Sequence, residues 1–224
     1  MDCTNFLHKN LRISEKKRTF APEILIPQSS IFNMLLIICA PSGSGKSTMV
    51  QHLLSTYPGR FELSVSCTTR APRGQEVDGR EYYFISREDF EQKIQEGAFI
   101  EHEQVYEGLY YGTLYSEIDR IQSKGAVPIF DVDVKGGIHL ERIFGDKALS
   151  IFVCPPSIEE LSRRLHSRGD TSEEMIQKRL AKASIEMEDA KEFDIQLVND
   201  NLSSAFQQLE KIIDTYFPQS HPKD

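Results

Sequence analysis

The stretch Met34-Leu-Leu-Ile-Ile-Cys-Ala40-Pro-Ser-Gly-Ser-Gly-Lys46-Ser47-Thr-Met-Val50 decides the fold. Its first seven residues are continuously apolar and mostly branched, the pattern of a strand buried on both faces of a parallel sheet. Pro41 to Gly45 make a glycine- and serine-rich loop. Met49, Val50, Leu53, Leu54 and Tyr57 then fall on one face of a helix that stops at Pro58-Gly59. Strand, loop and helix follow one another directly.

Within that stretch, Ala40-Pro-Ser-Gly-Ser-Gly-Lys46-Ser47 departs from the phosphate-loop pattern G-x-x-x-x-G-K-[ST] only at its first position, where Ala40 stands for glycine. Gly43 and Gly45 let the backbone curl so that successive N–H groups face phosphate oxygens. The helix that follows adds a favourable dipole. Lys46 would reach the β- and γ-phosphates, and Ser47 would offer its hydroxyl to Mg²⁺. The motif marks a nucleoside triphosphate site and leaves the acceptor open.

Outward from this unit the texture changes and then returns. From Phe61 to about Gly125, strand-like pieces (Leu63 to Ser66, Glu81 to Ile85, Ala98 to Val105) alternate with turns. A helix starts at Ser86, with Asp89 three residues on, and a shorter one is marked by Ile118 and Ile121. Val127 to Val132 and Ala148 to Cys154 read as strands, the first with Pro128 near its start. A helix with Ile158, Leu161 and Leu165 on its apolar side follows, then Thr171-Ser-Glu-Glu174, a capping-box pattern before a long helix bearing Ile176, Leu180, Ala183 and Met187. Ile195 to Val198 and Leu202 to Tyr216 close the chain as strand and helix. Alternating β and α elements around an insertion predict an α/β doubly wound fold.

The 224 residues carry 26 Lys and Arg against 34 Asp and Glu, a formal charge of −8. That balance speaks against broad nucleic-acid or anionic-membrane binding, so any phosphate ligand must be met by a local basic cluster. No apolar run is long enough to span a bilayer. Cys3, Cys39, Cys67 and Cys154 are scattered, which suits a reducing, cytoplasmic setting and gives no zinc signature. Residues 1–33 lack an apolar signal region; their composition reads as a disordered extension, or as sequence upstream of a start at Met34.

Such a basic cluster lies in Ser64-Val-Ser66-Cys-Thr-Thr-Arg70-Ala-Pro-Arg73, where two arginines three apart flank a stiffening proline. Guanidinium groups grip phosphate bidentately, so the spacing suits a monophosphate dianion. Read alone, the pair could equally be a solvated basic patch. Together, however, the phosphate loop, Ser66-x-Thr-Thr-Arg70-x-x-Arg73, Gly79-x-x-Tyr82, Phe99-Ile-Glu101, Tyr110-Tyr-Gly-Thr113 and Asp131-x-Asp133 resemble the guanylate kinase family, in order from about Met34 to Tyr216.

The resemblance implies a P-loop nucleoside monophosphate kinase with a parallel-sheet core (34–65, 126–155 and 191–218), an inserted α+β GMP-binding subdomain (66–125) and a helical lid (156–190). It implies transfer of the γ-phosphoryl group of ATP to GMP, with Mg²⁺. Arg70, Arg73, Tyr82 and Tyr111 match positions that hold the GMP phosphate. Ser66, Glu101, Thr113 and Asp133 match positions that contact guanine, whose N1–H and N2–H₂ donors suit a carboxylate. The ATP-binding positions are Ala40, Pro41, Ser42, Gly43, Ser44, Gly45, Lys46, Ser47 and Thr48, with Asn199 near the adenine. Asp131 ends an apolar strand and with Ser47 would attend the metal; Lys46, Arg73, Arg168 and Arg179 match the catalytic cations.

The pattern departs in two places: the chain between Glu101 and Tyr110 runs a residue longer than in some members, and Cys67 replaces a common serine. Two rival readings remain open at this point. A kinase acting on a ribose bisphosphate would not need Glu101 and Asp133. A non-catalytic phosphopeptide-binding relative would have a degraded phosphate loop. Oligomeric state, monomer or homo-oligomer, stays open.

Overall fold

In the computed structural model, which describes residues 11–13, 34–168 and 172–218, strand β2 (Leu35–Cys39) is buried along its whole length. Its alternation feeds two layers. Leu36 and Ile38 join a cluster with Met49, Val50 and Leu53 of helix α1 (Lys46–Thr56) and with Leu209 and Ile213 near the C-terminus. Leu35, Ile37 and Cys39 pack on the other side against Phe130, Leu140 and Phe193. A strand coated on both faces cannot alternate apolar with polar, hence the continuous run.

Around β2 lies a six-stranded sheet in the order β1-β10-β9-β2-β8-β3. Its members are β1 (Leu11–Ile13), β3 (Phe61–Leu63), β8 (Val127–Asp131), β9 (Ala148–Cys154) and β10 (Ile195–Val198). All pair in parallel except β1, which runs antiparallel to β10. The sequence placed residues 1–33 in a disordered extension; Leu11–Ile13 instead add an edge strand, and residues 1–10 and 14–33 lie outside the described residues. Pro128 sits second in β8. It costs no ladder bond there, because the register with β2 begins one residue later, at Ile129.

The insertion folds as a second sheet, ordered β5-β4-β7-β6, from β4 (Cys67–Thr68), β5 (Tyr83–Phe84), β6 (Phe99–Tyr106) and β7 (Leu109–Leu114). Helix α2 (Arg87–Gln95) packs Phe90 beneath it, stacked on Phe99 at 4.3 Å between ring centroids. Ser86 caps α2 as its spacing predicts, accepting from the Asp89 backbone N–H at 3.0 Å and donating to the Asp89 carboxylate at 2.7 Å. Helix α3 (Tyr115–Gln122) leads back to β8.

Several boundaries differ from the sequence expectation. Leu63 to Ser66 is not one strand: Leu63 ends β3 in the large sheet and Cys67 begins β4 in the small one, so the chain changes sheets between them. Glu81 to Ile85 shrinks to Tyr83–Phe84. Strand β7 and helix α4 (Val134–Phe144) were not anticipated at all.

The lid segment is a helical pair, α5 (Ile158–Arg168) and α6 (Glu173–Glu188), joined by Leu161, Leu165, Ile176 and Ala183. The cap of α6 is Ser172, whose Oγ accepts from Met175 N–H at 3.4 Å; Thr171, the expected cap, lies outside the described residues. Helix α7 (Leu202–Tyr216), capped by Asn201, ends the fold.

Candidate active site

The loop after β2 turns on two glycines with φ of 95° (Gly43) and 100° (Gly45), conformations that L side chains rarely adopt. Space forbids a side chain as well. A Cβ on Gly45 would lie 2.4 Å from Asn199 Nδ2, and one on Gly43 2.9 Å from Leu165 of the lid. Asn199 is buried and donates Nδ2–H to the Ser44 carbonyl at 2.8 Å, while its own N–H bonds to Cys154 O at 2.8 Å. Its amide is thereby tied to the back of the phosphate loop. Arg164 on α5 reaches the Asn199 carbonyl at 2.9 Å, so the lid and the loop share a support.

Lys46, the first residue of α1, points its ammonium at the end of β8. Its Nζ lies 2.5 Å from Asp131 Oδ1 and donates to Val132 O at 2.8 Å. A cleft of about 370 Å³ opens there. One wall is the phosphate loop, residues 40–43 and 45–48, with Ser42, Ser47 and Thr48 exposed; the other carries Asp133, Arg179, Lys182 and Glu186. The fold thus brings Arg179 of α6 opposite Lys46. Lys182 and Glu186, one and two turns on and paired at 3.2 Å, were not picked out from the sequence, although their i, i+3 and i, i+7 offsets from Arg179 put them on the same helix face. Arg168 ends α5, and its side chain falls outside the described residues.

Asp133 also has a local duty. It caps α4, accepting from Gly136 N–H at 2.9 Å, and its second oxygen stands 4.0 Å from Lys182.

In the small sheet the expected acceptor residues form two groups. The first is a relay. Thr113, fully buried, donates to Glu101 Oε1 at 2.8 Å; its only hydroxyl proton being used, it accepts from Ser66 Oγ at 2.9 Å. Burial raises the Glu101 carboxyl above its ordinary pKa, the Thr113 hydrogen bond opposes the rise, and the nearby Asp133 charge adds to it.

The second group surrounds Arg70. Its guanidinium lies 5.0 Å from the Tyr82 ring centroid and 5.6 Å from that of Phe84, and its Nε donates to Tyr111 Oη at 3.2 Å. Tyr82 and Tyr111 meet edge to face at 5.7 Å. Tyr110, next in sequence, turns the other way, stacking on Phe90 and donating to Glu91. Strand β6 carries register shifts between Phe99 and Glu101 and between Gln104 and Tyr106, and Glu101 faces Thr113.

One residue of this group escaped the sequence reading. Glu76 takes both ends of the Arg70 fork, at 2.6 and 2.7 Å, and accepts from Arg73 N–H at 2.8 Å. These bonds, Arg70 first, hold the Glu76 carboxyl at about 2. Arg73 extends its side chain into solvent. The i, i+3 and i, i+6 spacings from the two arginines were the only available signal, and in a loop they specify nothing.

With this geometry in view, comparison with known proteins is decisive. The family model described as guanylate kinase matches residues 33–216. The chain belongs to the guanylate kinase family. It is 49% identical over 179 residues to the guanylate kinase of Porphyromonas gingivalis, covering 80% of this chain and 95% of that one. To the Chlorobaculum tepidum guanylate kinase it is 47% identical over 186 residues, covering 83% and 94%. The solved guanylate kinase of Anaplasma phagocytophilum superposes with a TM-score of 0.59 at 26% identity, covering 84% of this chain and 87% of that one. The family thereby accounts for the α/β P-loop architecture. Among the described residues no helix is long and apolar enough to cross a membrane.

Proposed function

We propose that this chain is an ATP:GMP phosphotransferase, moving the γ-phosphoryl group of ATP to GMP, and to dGMP, to give ADP and GDP. The observation that carries the acceptor is the Ser66–Thr113–Glu101 relay beside the Arg70–Tyr82–Tyr111 cluster. A half-buried carboxylate accepts the N–H donors of guanine, which adenine lacks on that edge, and an acceptor left unpaired there would penalise AMP. Arg70 and Arg73, with the two tyrosine hydroxyls, would hold the monophosphate.

On the donor side, the loop N–H groups and Lys46 take the triphosphate. Ser47 and Asp131 offer hard oxygen donors, and the Lys46 ammonium beside Asp131 already stands where a cation is favoured. Two protein oxygens suit a Mg²⁺ ion, which is carried mainly by phosphate and water. When bound it would offset charge on the transferring group. Lys46, Arg73, Arg179 and Arg168 would do the same for the equatorial oxygens in a direct, in-line transfer. The acceptor phosphate is already ionised, so no general base is needed. Closure of lid and acceptor subdomain would exclude water and suppress ATP hydrolysis.

Among the described residues Cys39 and Cys67 are buried, free thiols, which favours a reducing cytoplasm. The reading is tested by following ADP release with ATP and GMP, dGMP, AMP or CMP. Turnover confined to the guanine nucleotides, lost by about a thousand-fold or more in Lys46→Ala, supports it. Equal turnover with every acceptor, or none with GMP, refutes it. A phosphoserine peptide that bound while GMP did not would favour the non-catalytic alternative.

A further inference from the structure

Between the large and small sheets the chain crosses at a single residue. The Ser64 N–H still bonds to Ile129 O of β8, in the large sheet, at 2.9 Å. The Ser66 carbonyl already accepts from Tyr83 N–H, in the small sheet, at 2.9 Å. Val65, between them, is buried, and its N–H belongs to neither ladder. A buried backbone donor must find a partner. That partner is Glu117, 2% exposed on α3, whose Oε2 accepts it at 2.8 Å.

The same carboxylate does more than fill this gap. Its Oε1 accepts the Tyr83 hydroxyl at 2.8 Å, and Arg120 Nε and Nη2 chelate it at 2.8 and 2.9 Å. Arg120 Nη1 in turn bonds Glu62 of β3, which Lys124 also holds at 3.0 Å. Glu117 is therefore the meeting point of the chain entering the insertion (Val65), the chain leaving it (α3), the small sheet (Tyr83) and, through Arg120, the large sheet (Glu62). Its two bonded neighbours flank acceptor-site residues: Ser66 follows Val65, and Tyr82 precedes Tyr83.

We propose that Glu117 is a positioning residue for the acceptor nucleotide: it fixes the joint on which the insertion is carried, and through Val65 and Tyr83 it sets the placement of Ser66 and Tyr82. This rests on the reading of that pocket as the GMP site. Glu117 touches no substrate, so its effect is transmitted and is confined to one of the two nucleotides.

Two variants separate this from general destabilisation. Glu117→Gln keeps the shape but loses the charge and must turn an NH₂ donor toward one of its donors. Tyr83→Phe removes a single hydroxyl and leaves the Val65 and Arg120 bonds in place. Expected in both is a rise in the ratio of KM for GMP to KM for ATP, about ten-fold in Glu117→Gln and about three-fold in Tyr83→Phe, with KM for ATP within about two-fold of the parent. Their combination should be less than multiplicative, because both disturb the shared Tyr83–Glu117 bond. Should Glu117→Gln fail to fold, Tyr83→Phe decides alone. A KM ratio within about two-fold of the parent in Tyr83→Phe, or both KM values shifted by the same factor, overturns the proposal. A parent enzyme that turned over no GMP would overturn the activity reading first, and this inference with it.

Discussion

Asn199 donates its side-chain amide to the carbonyl of Ser44, tying the strand-end loop after β10 to the phosphate loop 155 residues earlier. The bond is buried, and the amide stands where a Cβ on Gly45 would have to go. The curl of the loop is therefore braced from behind by a residue that the fold, not the local sequence, delivers. Asn199→Ala strands the Ser44 carbonyl and opens space beside Gly45. A buried acceptor left unpaired costs about 1–3 kcal/mol. The variant should melt earlier and bind ATP more weakly, with KM for GMP little altered; thermal unfolding and KM measurements check both.

Helix α4 exposes a different kind of close fit. Gly137 lies in its first turns, where a Cβ would sit 2.2 Å from Cys39 Sγ and 2.9 Å from the Phe193 ring. Both neighbours are fully or almost fully buried, so neither can retreat. Gly137→Ala gains helix propensity, about 1 kcal/mol in an open helix. Overpacking a dense core costs about 1–3 kcal/mol or more, and here it wins. The expected outcome is a lower unfolding midpoint in urea. Unchanged or raised stability would show that the β2–α4 interface yields more than this packing allows.

These glycines also explain what was legible in the sequence. Strand β2, the phosphate loop and α1 were readable because each of their patterns is local: an apolar run, two glycines, one helical face. Helix α4 was hidden because Gly136-Gly137 reads as a break, whereas its cause is close packing from elsewhere. Strand β7 was hidden because both faces of Leu109 to Leu114 are lined by side chains of the insertion itself, leaving no alternation. In the site, the motif residues Ser66, Thr113 and Glu101 were legible as a set, but their hydrogen-bonded order was not. Glu76, Lys182 and Glu117 were missed since each is an ordinary acidic or basic residue until the fold supplies its partners.

Arg70 donates two hydrogen bonds to one carboxylate and lies over the Tyr82 and Phe84 rings, a setting that needs a planar, forked cation. Arg70→Lys keeps the charge and loses the fork, the stacking and the Tyr111 bond together. Catalytic efficiency toward GMP should fall by about a hundred-fold, with KM for ATP within about two-fold. A variant of near-parental efficiency would remove Arg70 from the phosphate site. The partner Glu76 has a depressed folded pKa, near 2, so its share of stability is present above the unfolded carboxylate value. It is lost as pH falls toward 2. Glu76→Gln should flatten that part of the acid-unfolding curve.

Glu101 responds to pH in the opposite sense. Burial raises its folded pKa, with Asp133 adding to the rise against the Thr113 bond. The folded protein then binds more protons than the unfolded chain between the ordinary carboxylate pKa and the raised one. Stability therefore falls as pH rises through that window. Guanine needs the other protonation state, because its N1–H and N2–H₂ groups must meet a lone pair on each oxygen. KM for GMP should accordingly climb on acidification, starting above the pH at which an exposed glutamate protonates, while KM for ATP stays level. Glu101→Gln should bind GMP weakly at every pH and show no such climb. If the variant kept the acid limb, the titrating group would be elsewhere, and the carboxylate–guanine pairing would lose its support.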